Sequence, residues 1–261
     1  MTGLAIEDLQ AAVTEDDFLG GALRIVQPRT GYRAGIDAVL LAAAAPLEPG
    51  RGGEVLDCGA GVGTVGLCVA RRVPDARVVL LEREPRLAEI AALNIRRNGL
   101  GDRVSVIQAE VGAPAVDLDQ RGLASGSFDH VLANPPFHVE GHGTPAADPV
   151  TAAARAMGPH DLGSWARFMA RMTAPGGSAT IIHTADTLAR LSCALAGRFG
   201  ALKVLPIHPR EGAPAIRVMI QGIKGSRAPL TLLPGFVLHG PGEAFLPAAE
   251  AVLRGGGELR L

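Results

Sequence analysis

Three glycines at alternate positions constrain this chain most: Gly59, Gly61 and Gly63 directly follow the short apolar run 55–58. A segment with helical periodicity, residues 65–72, comes next. Glycine is needed where a backbone turns tightly and approaches a ligand closely, and the N-terminus of a helix offers free N–H groups to that ligand. The run, the loop and the helix together predict an α/β fold with a nucleotide-like cofactor bound at the glycines.

Strand-like and helix-like segments alternate around this loop. Strands are predicted at residues 54–58, 77–82, 104–108, 128–133 and 178–183. Helices are predicted at residues 65–72, 85–98, 161–173 and 187–198. Such alternation is typical of a Rossmann-like, doubly wound α/β sheet with mainly parallel strands. Aromatic residues make up only 3% of the chain, so the core is expected to consist mainly of aliphatic side chains.

Both ends of the chain add elements to this core. Residues 18–27 predict a hairpin around Gly20-Gly21, and residues 37–45 a helix. Two strands with no helix between them, 202–208 and 216–223, predict an antiparallel hairpin at the sheet edge. A strand at 235–239 and a helix at 243–253 follow. We therefore expect one domain over residues 1–261, with an N-terminal hairpin and helix (1–50), a core (51–225) and a C-terminal extension (226–261).

Acidic residues lie at or just after the ends of three predicted strands. Asp57 precedes the first glycine, where its carboxylate can bind the amino group of S-adenosylmethionine but would repel a pyrophosphate. Glu82 follows Gly63 by 19 positions, where it can accept both ribose hydroxyls. Glu110 is interpreted equally well as a contact to the cofactor's adenine or as a solvated carboxylate. These acids favour S-adenosylmethionine, although Gly61-x-Gly63-x-x-Gly66 also matches the dinucleotide fingerprint.

The segment Asn134-Pro135-Pro136-Phe137 follows the fourth predicted strand. Strand ends are where open α/β sheets bind ligands, and two prolines make the backbone rigid there. The Asn134 side-chain oxygen and the Pro135 carbonyl are both acceptors, so together they can hold the two hydrogens of an –NH2 group. Phe137 can stack on a flat ring, which is worth ~1–3 kcal/mol in single-strand recognition. The segment thus predicts a clamp for a planar amine.

The residue types present disfavour methyl transfer to carbon or to oxygen. The segment from Asn134 to Phe137 contains no cysteine, which disfavours covalent attack on a pyrimidine carbon. The sequence has no evident cluster of histidines and carboxylates that could form a general base or a metal site. We therefore expect no metal, and we disfavour O-methylation of a small molecule.

The combination of Asp57-x-Gly59-x-Gly61-x-Gly63 with Asn134-Pro135-Pro136-Phe137 resembles the class I amino-methyltransferases of the small-methyltransferase group. Residues 31–41 (GYRAGIDAVLL) resemble the segment before the core in the tRNA1(Val) adenine-37 N6-methyltransferase family. The resemblance extends over nearly the whole chain. It implies a seven-stranded sheet, S-adenosylmethionine as cofactor, and methylation of an adenine in the tRNA anticodon loop.

The resemblance also implies roles for individual residues. The segment from Asp57 to Gly63, with Glu82, would hold the cofactor, and Tyr32 and Asp37 would close the cofactor pocket from above. The residues from Asn134 to Phe137 would bind the base, with Asn134 also at the cofactor. Glu110 departs from the aspartate of the family pattern, which weakens its assignment to the cofactor's adenine.

Three alternatives to adenine methylation stay open at this point. His138 is commoner after this motif in rRNA guanine-N2 methyltransferases, and guanine also carries an exocyclic amine. The amide of a protein glutamine fits the same two acceptors. The chain could also bind S-adenosylmethionine without any activity, which the intact clamp motif argues against.

The charge distribution permits RNA as a partner. The net charge is −1, but residues 196–261 carry eight basic and four acidic side chains, which leaves −5 for residues 1–195. Positive charge is what binds a phosphate backbone. The candidates for such contacts are five arginines: Arg24, Arg29, Arg33, Arg210 and Arg217.

The remaining features predict a cytoplasmic protein. No apolar run is long enough for a membrane span, and the first ten residues lack the pattern of a secretory signal. Cys58, Cys68 and Cys193 have no metal-ligand spacing and are expected to be structural.

Overall fold

The structure, a computed structural model, describes residues 13–31, 33–47, 50–139, 156–157 and 161–261. The described strands are β1 (Val13–Phe18), β2 (Leu23–Pro28), β3 (Gly53–Cys58), β4 (Ala76–Glu82), β5 (Val104–Gln108), β6 (Phe128–Ala133), β7 (His138–Val139), β8 (Ala156–Met157), β9 (Thr173–Thr184), β10 (Phe199–Arg210), β11 (Arg217–Lys224), β12 (Thr231–Leu232) and β13 (Phe236–His239). The described α-helices are α1 (Ile36–Ala43), α2 (Thr64–Arg72), α3 (Pro85–Arg97), α4 (Ala115–Asp119), α5 (Asp161–Met172), α6 (Leu188–Leu195) and α7 (Pro247–Leu253).

A central sheet carries the strand order β10-β11-β9-β6-β3-β4-β5 in its seven long strands. Strands β5, β4, β3, β6 and β9 run parallel, and β11 pairs antiparallel with both β9 and β10. The doubly wound fold with an antiparallel hairpin is therefore confirmed. Two short strands, β12 and β13, pair in parallel with β10 and extend the sheet to nine strands.

Hydrophobic side chains cover both faces of this sheet, as its parallel strands require. Neighbouring residues point to opposite faces: Val55 packs in the cluster with α1, α2 and α3, and Leu56 packs in the cluster with α5 and α6. This explains why the central strands read as continuous apolar runs without alternation. None of the helices within the described residues is long and apolar enough to cross a membrane.

Most predicted element boundaries agree with the structure to within three residues, but some elements differ. Helix α4 and the short strands β7, β8 and β12 were not predicted, because segments this short carry too little periodicity. Strand β9 begins at Thr173 and continues through the predicted turn 175–177, with a register irregularity against β6 at this end. Helix α7 begins at Pro247, since proline favours the first helical position.

Order along the sheet determines where a ligand can bind. From β3 the chain continues outward through β4 to β5, and it then returns to the other side of β3 with β6. At such a switch point the loops after adjacent strands diverge and open a crevice at their carboxyl ends. The glycine loop after β3 and the Asn134 segment after β6 both border this crevice.

One buried side chain fastens the N-terminal hairpin to the core. Asn94 of α3 is fully buried, and its Nδ2 donates to the carbonyls of Val26 (2.9 Å) and Val62 (3.0 Å). Its Oδ1 accepts the Val26 N–H at 2.8 Å. Asn94 thus joins β2 to the glycine loop through three hydrogen bonds.

Replacement of Asn94 by alanine is expected to lower the free energy of unfolding by about 3 kcal/mol, because three buried backbone groups lose their partners. Asn98 offers a matched control, since it makes the same pair of bonds to the backbone of Arg24 but is half-buried. Asn98→Ala should cost about 1 kcal/mol. Urea unfolding measures both values, and equal losses would contradict the role of burial.

Candidate active site

The glycine loop after β3 has a backbone that side chains rarely adopt. Gly59, Gly61 and Gly63 have φ values of 67°, 58° and 89°. A Cβ atom on Gly59 would also lie 2.6 Å from Cη2 of Trp165. Glycine is therefore required at position 59 both by the turn and by an indole ring that packs against it.

Asp57 lies buried beneath this loop, with 1% of its surface exposed. Its Oδ2 accepts the N–H of Gly66 in α2 at 3.0 Å. Burial raises the pKa of Asp57 to about 7, and the negative charge of Glu82 acts in the same direction, while the bond from Gly66 opposes both. A cationic ligand group placed here would favour the ionised carboxylate, as an amino-acid ammonium does.

Glu82 ends β4 and lies next to the glycine loop. Its Oε2 accepts the N–H of Gly61 and its Oε1 accepts the N–H of Glu84, both at 2.8 Å. Burial raises the pKa of Glu82, and these backbone bonds work against that rise. Each carboxylate oxygen keeps a second lone pair, so both can still accept a ligand hydroxyl.

Three further residues were predicted at the cofactor: Glu110, Asp37 and Tyr32. Glu110 is exposed and forms a 3.6 Å ion pair with Arg83, an environment typical of a surface carboxylate. Asp37 lies in the first turn of α1, and its Oδ2 accepts the Nε hydrogen of Arg217 at 2.8 Å. Tyr32 lies outside the described residues.

The clamp segment follows β6 and contains an unsatisfied acceptor. Asn134 Oδ1 is buried and has no hydrogen-bond partner among the described residues. Pro135 is buried, whereas Pro136 and Phe137 are half-buried. A buried amide oxygen without a partner costs about 1–3 kcal/mol, so a ligand that donates a hydrogen bond to it would remove that cost.

His183 of β9 meets the ring of Phe137 edge-on, with 4.9 Å between the ring centroids and 70° between the planes. Burial is the main cause that lowers the pKa of His183 to about 4, so the ring is neutral near pH 7. The Thr184 N–H donates to His183 Nδ1 at 2.9 Å, which leaves the ring hydrogen on Nε2. His183 is therefore not placed to accept a proton.

Three residues of this region were missed or assigned differently from sequence. His183 and Trp165 were not singled out, because each lies within an ordinary strand or helix pattern. Arg217 was a candidate for a phosphate contact, but its guanidinium carbon lies 4.8 Å from the centroid of the Phe137 ring. A lone tryptophan in a chain with 3% aromatic residues was the one signal that could have drawn attention to Trp165.

Most of the other arginines proposed for RNA contacts form ion pairs. Arg24 pairs with Glu15, and Arg33 with Asp16. Arg210 pairs with Glu243 at 2.6 Å. These side chains are at least one-third exposed, and exposed pairs exchange partners at little cost.

Comparison with known proteins agrees with this geometry. Residues 34–159 match the family model described as "Methyltransferase small domain". A tRNA1(Val) (adenine(37)-N6)-methyltransferase of Aeromonas hydrophila is 28% identical over 195 residues, which is 74% of this chain and 77% of that protein. A release factor glutamine methyltransferase of Moorella thermoacetica is 33% identical over 113 residues, or 43% of this chain and 36% of that protein.

Among solved structures, a predicted O-methyltransferase from Agrobacterium tumefaciens superposes with a TM-score of 0.73 and 30% identity. The match covers 86% of this chain and 99% of that one. Similarity of this extent, together with the family match that spans both the glycine loop and the clamp, establishes more than a shared fold. The chain belongs to the small-methyltransferase family of class I enzymes and is a methyltransferase that uses S-adenosylmethionine.

Proposed function

We propose that this enzyme methylates the exocyclic N6 of an adenine in structured RNA, most specifically in the anticodon loop of a tRNA. The buried Oδ1 of Asn134, which has no hydrogen-bond partner among the described residues, carries the proposal, because it is an acceptor three positions before the half-buried ring of Phe137. An adenine amine supplies the missing donor, and its flat ring supplies a stacking partner for Phe137. Relatives such as the Aeromonas hydrophila enzyme, named for adenine-37 of tRNA1(Val), support this choice of substrate.

The residues around the glycine loop are proposed to hold the cofactor. Asp57 would attract its ammonium group, and Glu82 would accept its ribose hydroxyls. The three glycines let the backbone approach the cofactor closely. When bound, S-adenosylmethionine supplies an electrophilic methyl group. Because Glu110 is exposed and paired with Arg83, we do not assign it a cofactor contact.

The clamp residues are proposed to orient the substrate amine for methyl transfer. Asn134 Oδ1 and the Pro135 carbonyl would accept one N–H each, which fixes the direction of the nitrogen lone pair. Neutral His183, with Nδ1 already bound to the Thr184 N–H, is a poor proton acceptor. The proton of the product would therefore leave to water after transfer.

The low basicity of His183 also argues against oxygen as the methyl acceptor. A hydroxyl substrate needs a base to remove its proton, and in the described part of the clamp the ionisable ring next to Phe137 is His183. Its lowered pKa of about 4 makes it a weak base. An amine needs no prior deprotonation, so the clamp is better suited to nitrogen.

Incubation with labelled S-adenosylmethionine tests the substrate. Unmodified tRNA, ribosomal RNA and a protein extract are offered separately, and the products are identified by mass analysis of nucleosides and peptides. The expected product is N6-methyladenosine in tRNA. N2-methylguanosine in rRNA, N5-methylglutamine in protein or an O-methylated nucleoside would each overturn the adenine assignment.

Cofactor affinity is expected to fall about tenfold for each pH unit below 7, since the pKa of Asp57 is raised to about 7. Below this pH the free enzyme carries a protonated, neutral Asp57, and binding of the ammonium must first release that proton. Above pH 7 the carboxylate is already ionised, so affinity should level off. Calorimetric titration between pH 5 and 8 measures the slope.

Asp57→Asn provides the control for this prediction. The amide cannot titrate, so the variant should bind the cofactor more weakly and lose the slope that Asp57 contributes between pH 5 and 7. A wild-type affinity that is flat over this range would contradict the role of Asp57.

A further inference from the structure

Arg217, which lies outside the clamp segment, contacts the Phe137 ring and is itself bound by the carboxylate of Asp37. The Arg217 guanidinium carbon lies 4.8 Å from the ring centroid, a distance at which a cation is attracted to an aromatic face. The Nε of Arg217 donates to Asp37 Oδ2 at 2.8 Å. The Arg217 side chain is 27% exposed and that of Asp37 is 17% exposed, so solvent weakens this ion pair less than a surface pair.

Side chains of two elements contact this ring, and a third element supplies the carboxylate that binds one of them. Asp37 comes from the first turn of α1, Arg217 from the first residue of β11, and His183 from β9. In the sheet register Val218 lies opposite His183, which places Arg217 and His183 at the same end of neighbouring strands. The ring of Phe137 therefore has a cation against one face and an imidazole at 70° to its plane.

The charge of Arg217 is already compensated. Its positive charge faces the Asp37 carboxylate, and its Nη1 donates to the Ile216 carbonyl at 3.1 Å. A phosphate would have to compete with this carboxylate for the guanidinium. The contact with Phe137 and the bond to Asp37 together point to a local role in the clamp.

We propose that Arg217, oriented by Asp37, is a positioning residue that fixes Phe137 for stacking on the substrate base, and that it is not a phosphate contact. This inference rests on the proposed function. A ring that is already oriented loses little entropy when a base stacks on it, and a misplaced reacting group can cost about 100-fold in rate. Loss of Arg217 or of Asp37 should therefore lower kcat in the same way.

The test compares Arg217→Met, Arg217→Lys and Asp37→Asn on unmodified tRNA at saturating S-adenosylmethionine. We expect kcat to fall about 10- to 100-fold in Arg217→Met and Asp37→Asn, with cofactor affinity and melting temperature close to wild type. Arg217→Lys keeps a cation for the ring but not the planar donor that meets Asp37, so it should recover only part of the loss. The double variant that combines Arg217→Met with Asp37→Asn should be no worse than either single variant, because both act through one ring.

The salt dependence of KM separates this role from a phosphate contact. A lost phosphate contact would weaken RNA binding and flatten the slope of log KM against log salt by about one unit, with kcat unchanged. Asp37→Asn would then free Arg217 and tighten RNA binding. Positioning predicts the opposite pattern, in which kcat falls and the slope stays the same.

Arg254→Met is the matched control, because Arg254 pairs with Glu250 on α7 and is 66% exposed. It should leave kcat and the salt slope unchanged. Wild-type kcat in Arg217→Met, a flattened salt slope, or a loss in Asp37→Asn confined to cofactor affinity would each overturn the inference while the proposed function stands. A wild-type enzyme that transfers no methyl group to tRNA would overturn both.

Discussion

Asn134→Ala is expected to lower kcat about 10²- to 10³-fold, which is the usual effect of losing one preorganised polar group that acts on the reacting atoms. In the structure Oδ1 of Asn134 is buried without a partner among the described residues, so its hydrogen-bonding capacity is available to a ligand. Alanine removes this acceptor and leaves the substrate amine free to rotate. Single-turnover kinetics with tRNA and a saturating concentration of S-adenosylmethionine measure the loss.

Two observations distinguish loss of the acceptor from loss of the fold. Because alanine also removes a buried polar atom that has no partner among the described residues, the free energy of unfolding should stay the same or rise slightly. Asn134→Asp keeps an oxygen that accepts hydrogen bonds and should therefore lose less activity than Asn134→Ala. If Asn134→Ala kept wild-type kcat, the clamp would not act through this side chain.

Gly59→Ala is expected to lower the free energy of unfolding by about 2–5 kcal/mol and to abolish measurable cofactor binding, because two separate penalties combine at this position. A residue other than glycine is strained at the φ value of 67°. The new methyl group would also lie 2.6 Å from Trp165, which packs against the loop. Urea unfolding and calorimetric titration with S-adenosylmethionine measure the two losses.

A second glycine separates these two penalties. Gly122 also has a positive φ, 82°, but a Cβ there would meet no atom of the described residues within 4 Å. Gly122→Ala should therefore show the backbone strain alone, about 1 kcal/mol, with unchanged cofactor binding. In the Gly59→Ala background, Trp165→Leu should restore part of the stability by making room. If Gly59→Ala lowered the free energy of unfolding no more than Gly122→Ala, the contact between Trp165 and the loop would not contribute to the loss.

Local sequence determined the framework of this protein. The apolar run, the glycines and the helix after them predicted β3, the loop and α2, because strand burial, positive φ and helical periodicity each depend on a few consecutive residues. The same holds for Asn134-Pro135-Pro136-Phe137, whose prolines limit the backbone without help from the rest of the fold. Fold class and cofactor could both be read at this level, and the clamp could be predicted at it.

Tertiary structure alone decided how the clamp and the loop are supported. Asp37 and Arg217 lie 180 positions apart in the chain and meet only because α1 packs against the sheet where β11 pairs with β9. Trp165 meets Gly59 only through the packing of α5. A periodic pattern reports which face of an element is buried, but it does not report which side chain of another element lies against that face. For this reason the sequence could predict the residues that face the ligands, and only the packed structure showed which side chains of other elements lie against them.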